Sequence, residues 1–352
     1  MKCGIVTVYN SENCGSFLQG YAMAQFLRKN GHEAVMVRQN FADHSASRRS
    51  FLKKLAKTVL RGNFAGAKLM VTRRKLFRQA IAQHLQVAKN ADGLDCCLLG
   101  SDVIWDVTSP FFRKHHSFFW GTQFAEQKVI AYAASVGFAK EKDMQSVGFV
   151  KNALQNMAAV SVRDSSSKAL LQPYCVKEIH QVCDPTYLIG REDYAKIAKS
   201  TDLSKFMFLY CYGDLPAEDR KALQAIAKAE GLKTVTFGGN NAWCDIRLPY
   251  DPLLFLSIYD KADYIITNTF HGTVFSTIYE KRFAVVKNDK QKVLNVLKMC
   301  GLSDKMTQTA QDYESILHCS FDYETARNAI SWERANSLAY LSEALRERST
   351  NG

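Results

Sequence analysis

No stretch of this 352-residue chain approaches the roughly 18–20 apolar residues that a membrane span requires. Its ten cysteines are scattered, with no C-x-x-C pair and no His/Cys cluster at zinc spacing. That argues against a structural metal and for a reduced, cytoplasmic compartment. Adjacent Cys96 and Cys97 lie in an apolar run and read as strand core. The N-terminus, Met1-Lys2-Cys3-Gly4-Ile5-Val6, enters a strand directly, without the layout of a signal peptide. The first β-α turn lacks G-x-G-x-x-G, so a dinucleotide pyrophosphate is not indicated. Short internal repeats and low-complexity tracts are missing as well.

One absence is local. Between Asp43 and Asp92 there is no acidic residue, yet the interval holds 12 Lys and Arg, as many as the whole net charge of +12. The remainder of the chain is therefore balanced. Phe51, Leu52, Leu55, Val59, Leu76, Phe77 and Ile81 run through the interval at helical spacing. A basic amphipathic segment over residues 48–78 suits an anionic membrane surface, or a pair of packed helices with a solvated basic face. Nucleic acid is not expected, because no recognition motif or aromatic interleaving accompanies the charge.

What is present is ordinary for a globular protein: 47% hydrophobic and 23% charged residues. The length fits two domains, taken as residues 1–190, with a basic helical insertion at 45–90, and residues 191–352. Cys3–Tyr9 reads as a buried strand and Asn10–Ser16 as a polar turn. Phe17–Lys29 reads as a helix closed by Asn30-Gly31, and Glu33–Val37 as the next strand. Leu94–Leu99 is a strand ending in Gly100-Ser101-Asp102-Val103-Ile104-Trp105. A carboxylate and an indole there suit sugar hydroxyls and a pyranose face, or equally a turn with a core tryptophan. Lys128–Ser135 and Ala159–Val162 are further strands, the second followed by Arg163-Asp164-Ser165. Arg163 can fork onto a carboxylate or phosphate, or pair with Asp164 or a neighbouring loop.

The second half restarts the alternation with strands Phe206–Tyr212, Thr234–Phe237, Tyr264–Thr267 and Phe283–Val286, the last ending at Lys287. Helices fall at Ala217–Glu230, after Asp251-Pro252, at Val293–Cys300 and at Tyr323–Arg348. The pattern predicts two Rossmann-like α/β domains facing a cleft, a GT-B-like layout, with the last helix crossing back to the first domain. The densest chemistry follows Tyr264–Thr267: Asn268-Thr269-Phe270-His271-Gly272-Thr273, then Val274, Phe275 and Ile278 at helical spacing. His271 at the turn, beside the backbone N–H groups of Gly272 and Thr273 at a helix N-terminus, makes an anion site next to a titratable acid or base. A histidine merely capping the helix is the plainer reading; the surrounding Thr, Asn and Gly favour function.

Several of these landmarks form an ordered set. They are Asn13-Cys14-Gly15-Ser16-Phe17-Leu18-Gln19, Gly100–Trp105, Ala131-Tyr132-Ala133-Ala134-Ser135-Val136-Gly137, Ser161-Val162-Arg163-Asp164, Asp184-Pro185-Thr186 and Thr267–Thr273. Together, from residue 13 to about residue 287, the chain resembles the polysaccharide pyruvyl transferase family. It departs at Thr269, where many members carry an arginine, and reads Asn268-Thr269-Phe270-His271-Gly272 where a large subgroup has Asp-Ser-Phe-His-Gly.

The resemblance implies transfer of pyruvate from phosphoenolpyruvate to two hydroxyls of a sugar, giving a cyclic ketal and phosphate, with no cofactor. It implies His271 as the acid or phosphate-side donor. Arg163 would grip the donor's phosphate or carboxylate, helped by the N–H groups of Gly272 and Thr273 and by Lys287. Asp102 and Trp105 would hold the acceptor, with Asp102 able to act as base. Asn13, Gly15, Ser16 and Gln19 would close the cleft, and Ser101, Asn268 and Thr269 would line it. The acceptor implied is an oligosaccharide or lipid-linked glycan of a capsule, exopolysaccharide or cell-wall route, met at the inner face of the membrane. Two other readings stand beside this one. A nucleotide-sugar glycosyltransferase has cues in Gly238-Gly239-Asn240-Asn241 and Asp251-Pro252, but no paired Glu that would hold a ribose. A non-catalytic glycan-binding relative is the other.

Overall fold

A computed structural model describes residues 1–39, 41 and 48–346 of the chain. Residues 45–47 of the basic insertion, the side chains of Arg48 and Arg49, and the predicted end of the last helix at Arg348 lie outside the described residues.

Two parallel sheets organise the molecule. The first contains β1 (Lys2–Val6), β2 (Glu33–Val37), β3 (Val87–Ala88), β4 (Cys96–Leu99), β5 (Lys128–Ala134), β6 (Ala159–Val162) and β7 (His180–Gln181), in the order β3-β2-β1-β4-β5-β6-β7. The second contains β8 (Phe206–Tyr210), β9 (Lys233–Phe237), β10 (Ile246–Leu248), β11 (Tyr264–Thr267) and β12 (Arg282–Val285), in the order β10-β9-β8-β11-β12. The central strands β1, β4, β8 and β11 are almost wholly buried and read as unbroken apolar runs rather than alternations. Helices cover both faces of such a sheet, which is why. Cys96 and Cys97 are strand core, as expected. β3, β7 and β10 leave no mark in the sequence pattern, because two or three residues carry no detectable period.

The strand order places the site. In the first sheet the chain builds outward from β1 through β2 to β3, then returns to the other side of β1 at β4. The second sheet does the same between β8 and β11. A reversal of this kind leaves a crevice at the carboxyl ends of the two strands, where ligands of open α/β sheets bind. The loops at the two crevices meet: Asn13, after β1, donates to the hydroxyl of Tyr212, after β8.

Helix α1 (Cys14–Lys29) begins three residues earlier than the apolar spacing suggests, because Asn13 caps it by accepting from Ser16 N at 3.1 Å. Its C-terminus closes on Gly31 (φ 77°), with His32 N bonding back to the Leu27 carbonyl. α1 packs into one core shared by both sheets, where Tyr21 meets Tyr194 and Tyr194 meets Phe275. The basic interval folds as a helical hairpin, α2 (Arg48–Leu60) and α3 (Phe64–His84), turned through Gly62 (φ 71°) and capped by Asn63, which accepts from Gly66 N at 2.8 Å. α3 buries Ala67, Phe77 and Ala80, and its Arg73 lies 4.6 Å over the Tyr250 ring.

The final helix, Tyr323–Leu345, does cross back. Ser337 Oγ accepts from Cys183 N at 2.9 Å, the Tyr340 hydroxyl donates to the Ala131 carbonyl at 2.7 Å, and Arg334 Nε donates to the Tyr187 carbonyl at 2.6 Å. The Ser337 bond is buried, so Ser337→Ala leaves the Cys183 amide without its partner. An unfolding midpoint in urea should show a loss of about 1–3 kcal/mol; an unchanged midpoint would mean that the helix is not fastened there.

Candidate active site

The first sheet supplies a buried carboxylate. Asp184 lies three residues beyond β7 and its side chain is 1% exposed. Oδ2 accepts from Ser101 Oγ at 2.9 Å and from Arg163 Nη1 at 3.1 Å, while Oδ1 accepts from Thr186 N at 3.1 Å and Thr186 Oγ1 at 2.7 Å. Burial opposes ionisation, but His271, Arg163 and the Thr186 bonds outweigh it and hold the acid below the usual carboxylate range. Arg163, at the end of β6, pairs with Asp184 and not with Asp164. The Asp164 carboxylate instead caps the next helix, accepting from Ser167 N and Ser166 Oγ, each at 2.7 Å. The Arg163 guanidinium packs 4.3 Å from the centre of the Phe270 ring. Its Nε and Nη2 are buried without any partner.

Asp102 sits at the end of β4 with φ 81°, a strained region for a residue with a side chain. An irregularity in the sheet lies beside it. β5 shifts register between Ala131 and Ala134, with Ala133 at φ 56°, and Asp102 forms a parallel bridge with Ala134 across that bulge. The Asp102 carboxylate accepts from Ser16 Oγ at 3.0 Å and Val103 N at 2.9 Å. Burial again opposes its charge, and Arg163, Lys292 and His271 overcome it, so Asp102 is ionised and a weaker base than a free carboxylate.

The second sheet supplies the histidine. The helix after β11 spans Phe270–Ile278, so His271 lies in its first turn rather than in the connection before it. Burial is the main cause holding His271 below the ordinary histidine value; Arg163 and Lys292 act the same way, against Asp184 and Asp102. The imidazole is therefore neutral near pH 7. Nε2 has no hydrogen-bond partner and lies 4.0 Å from Asp184 Oδ1, beyond bonding distance. A Cβ on Gly15 would collide with His271 Nδ1, so glycine is what lets α1 approach the histidine this closely.

Several predicted residues have other work. Trp105 is fully buried, stacked on Trp120 at 4.6 Å with its indole N–H on the Phe119 carbonyl, and cannot present a face to a sugar. Gln19 is buried and its amide donates to Thr7 Oγ1, Val8 O and Ser16 O, fixing the β1 turn from behind. The Gly272 N–H goes to Thr269 Oγ1 at 2.9 Å and the Thr273 N–H to the Thr269 carbonyl at 3.1 Å, so neither is available to an anion. Thr269 is thus the helix cap, itself 4% exposed. Asn268 mimics a strand neighbour, accepting from Tyr212 N and donating to Tyr212 O, both at 2.9 Å. Lys287 is exposed and its charge acts on Asp312 instead. The cations near the site are Lys292, whose charge burial disfavours, and Lys290, whose Nζ donates to the Asn268 carbonyl at 2.9 Å.

His271, Arg163, Asp102, Ser101, Asn13, Gly15 and Ser16 do come together. Asp184, Phe270, Tyr212 and Lys292 join them, unsignalled as site residues except by the places of Asp184 and Phe270 in the ordered motifs. Beside Arg163 and Phe270 lies a cavity of about 70 Å³ also bounded by Asp184, Lys292, Asn295 and Glu333. It has room for a small charged group. A wider cavity of about 410 Å³ lies between the helical hairpin and the second sheet, reached by Asn13, Arg73, Tyr212, Asn240 and Tyr250. Of the two cues for a nucleotide sugar, Gly238, Gly239 and Asn240 line this wider cavity, whereas Asn241 and Asp251 serve the structure. Asn241 is fully buried and bonds Leu215 N and Gly213 O, and Asp251 caps its helix.

The two parallel α/β sheets with their meeting carboxyl edges define a GT-B-like scaffold. Residues 13–290 match the polysaccharide pyruvyl transferase family, and the chain belongs to it. Similar solved structures share the fold at low identity. One UDP-N-acetylglucosamine 2-epimerase matches with TM-score 0.56 at 12% identity over 98% of this chain and 94% of its own. The Neisseria meningitidis UDP-GlcNAc 2-epimerase bound to UDP-GlcNAc has TM-score 0.51 at 11% identity, over 96% and 100%. The Rickettsia bellii UDP-N-acetylglucosamine 2-epimerase has 0.51 at 11%, over 97% and 96%. No curated protein matches.

Because Thr269 caps the histidine's helix, Thr269→Ala should cost about 1 kcal/mol of stability and Thr269→Ser much less. Equal thermal midpoints for both variants and the parent would rule out the cap.

Proposed function

We propose that this protein transfers the pyruvyl group of phosphoenolpyruvate to two hydroxyls of a sugar in a cell-surface glycan or its lipid-linked precursor. Family membership supports this reaction class. The observation that supports the donor is the pair of buried, partnerless guanidinium nitrogens of Arg163 beside the equally partnerless His271 Nε2. Unpaired buried donors are costly, and an anion that accepts from them recovers the loss. A guanidinium with one edge held by Asp184 offers its remaining N–H groups to a carboxylate or phosphate.

The chemistry runs through protonation of the enol CH₂, which leaves electron deficiency at the carbon bearing the phosphate oxygen. One sugar hydroxyl adds to that carbon and loses its proton. The C–O bond to phosphate then breaks, and the second hydroxyl closes the ketal as phosphate departs. His271 is the acid in this scheme. It is neutral at rest, and the negative charge of a bound donor favours its imidazolium. Arg163 and Lys292 stabilise the donor's charge and the departing phosphate. Asp102, held ionised and braced by Ser16, orients the acceptor hydroxyls and faces the developing positive charge. Asn13 and Tyr212 join the two edges across the opening.

Calorimetric titration should show phosphoenolpyruvate binding in the absence of acceptor, and no binding of UDP- or GDP-sugars. The reverse pattern would assign glycosyl transfer. Arg163→Ala would strand Asp184, at a cost of about 3–5 kcal/mol, so the informative change is Arg163→Lys. It keeps the charge, loses the fork, and should weaken phosphoenolpyruvate binding by about tenfold or more. His271→Ala should lower turnover by about 10²–10⁴ while leaving donor binding within a few fold.

The depressed value of His271 also fixes a direction with pH. The free protein carries the acid form mainly below the ordinary histidine value of 6.5, and loses it as pH rises. kcat/KM for phosphoenolpyruvate should therefore fall about tenfold per pH unit above neutrality. A flat profile from pH 6 to 8 would take the acid role away from His271.

A further inference from the structure

The hairpin of α2 and α3 has two faces of different character. Its inner face lines the wider cavity through Thr58, Asn63, Gly66, Leu69, Met70 and Arg73. On its outer face, Phe64, Lys68, Val71, Lys75 and Arg78 recur at three- and four-residue steps along α3, and all are exposed. At the tip, Leu60 is 87% and Phe64 69% exposed, on either side of the turn. Lys53, Lys54, Lys57 and Arg61 are exposed on α2 and the turn.

Large apolar side chains are scarce on the rest of the surface. Nine are exposed among the described residues, and five of them, Leu52, Val59, Leu60, Phe64 and Val71, are on this hairpin. Exposed apolar residues concentrated on one element mark an interaction surface rather than ordinary scatter. The interval from Asp43 to Asp92 contains no acid, and although Glu12 pairs with Arg73 and Arg74, the exposed Lys68, Lys75 and Arg78 of the outer face bring only positive charge to it. Apolar side chains that project from a turn, ringed by Lys and Arg without an acidic residue, complement a lipid surface. Its interior takes the apolar tips and its anionic headgroups the cations. A nucleic acid offers the second partner but no place for Leu60 and Phe64.

We propose that the tip and outer face of this hairpin dock the protein on an anionic lipid bilayer. Asn63 belongs both to the tip and to the wall of the wider cavity, so docking sets the cavity mouth at the lipid surface. A glycan carried on a lipid would enter it there. The docking does not depend on which donor the site uses, and its test is independent of turnover.

The test is co-sedimentation of the full chain with vesicles of phosphatidylcholine alone, and of phosphatidylcholine with phosphatidylglycerol at 70:30. Binding to the anionic vesicles, falling steeply with added salt, is expected, with little binding to the neutral ones. Two variants separate the contributions: Leu60→Ser with Phe64→Ser, and Lys57→Gln with Arg61→Gln and Lys68→Gln. Each should weaken partitioning by about tenfold or more, with the circular-dichroism melt unchanged. Phe138→Ser, at an exposed apolar residue elsewhere, should bind like the parent. Equal binding to neutral vesicles, or full binding by both hairpin variants, overturns the proposal. So does binding to single-stranded RNA that matches the vesicle affinity and ignores the loss of Leu60 and Phe64, since that would make the hairpin a general polyanion site.

Discussion

The structure turns on one buried carboxylate. Asp184 has all but 1% of its side-chain surface removed from water and stays ionised because the charges beside it, together with the hydrogen bonds from Ser101, Arg163 and both the amide and hydroxyl of Thr186, outweigh that burial. Four donors compensate a charge that burial alone would drive off. The arrangement fixes Arg163 by one nitrogen and leaves two others buried without a partner, beside a cavity that Phe270 and Lys292 also line. Had Arg163 paired with its neighbour Asp164, it would have turned toward the helix that Asp164 caps. The long-range pair instead ties the loop after β7 to the end of β6 and points both at the second sheet.

That second sheet brings its residues to the same place by the same device. Each sheet reverses its order beside the strand that comes first in the chain, and each reversal leaves its loops at the carboxyl edge. Asn13 and Gly15 from one edge meet Tyr212 and His271 from the other with no spare room. The strained backbone at Asp102 and Ala133 lies on this edge as well, where a regular strand would have carried the carboxylate elsewhere.

Much of this was legible in the sequence. The apolar runs marked the central strands, and the turn after Thr267 marked His271. The interval without acids marked the hairpin. What periodicity could not give was the destination of each hydrogen bond. Thr269, Gly272 and Asn268 looked like ligand donors because small polar residues at a helix start serve equally as caps, and here the cap won. Trp105 looked like a sugar platform because a tryptophan's exposure depends on Trp120 and Phe119, which lie across the fold and not beside it in pattern. Asp184 is marked in the sequence only by its place in the ordered motifs, and Lys292 not at all, because the site partner they share, Arg163, lies more than 20 residues from each.

The contact between Gly15 and His271 has a meaning for how such a chain is inherited. Neither half of the polypeptide holds the whole chemistry: the arginine and two carboxylates come from one, the imidazole from the other. The interval between them allows no added atom at Gly15. A lobe exchanged with a relative would bring side chains shaped to a different partner, and the final helix, fastened at Ser337 and Tyr340, would have to match as well. The unit on which selection acts is the fitted pair, so the two lobes must drift together.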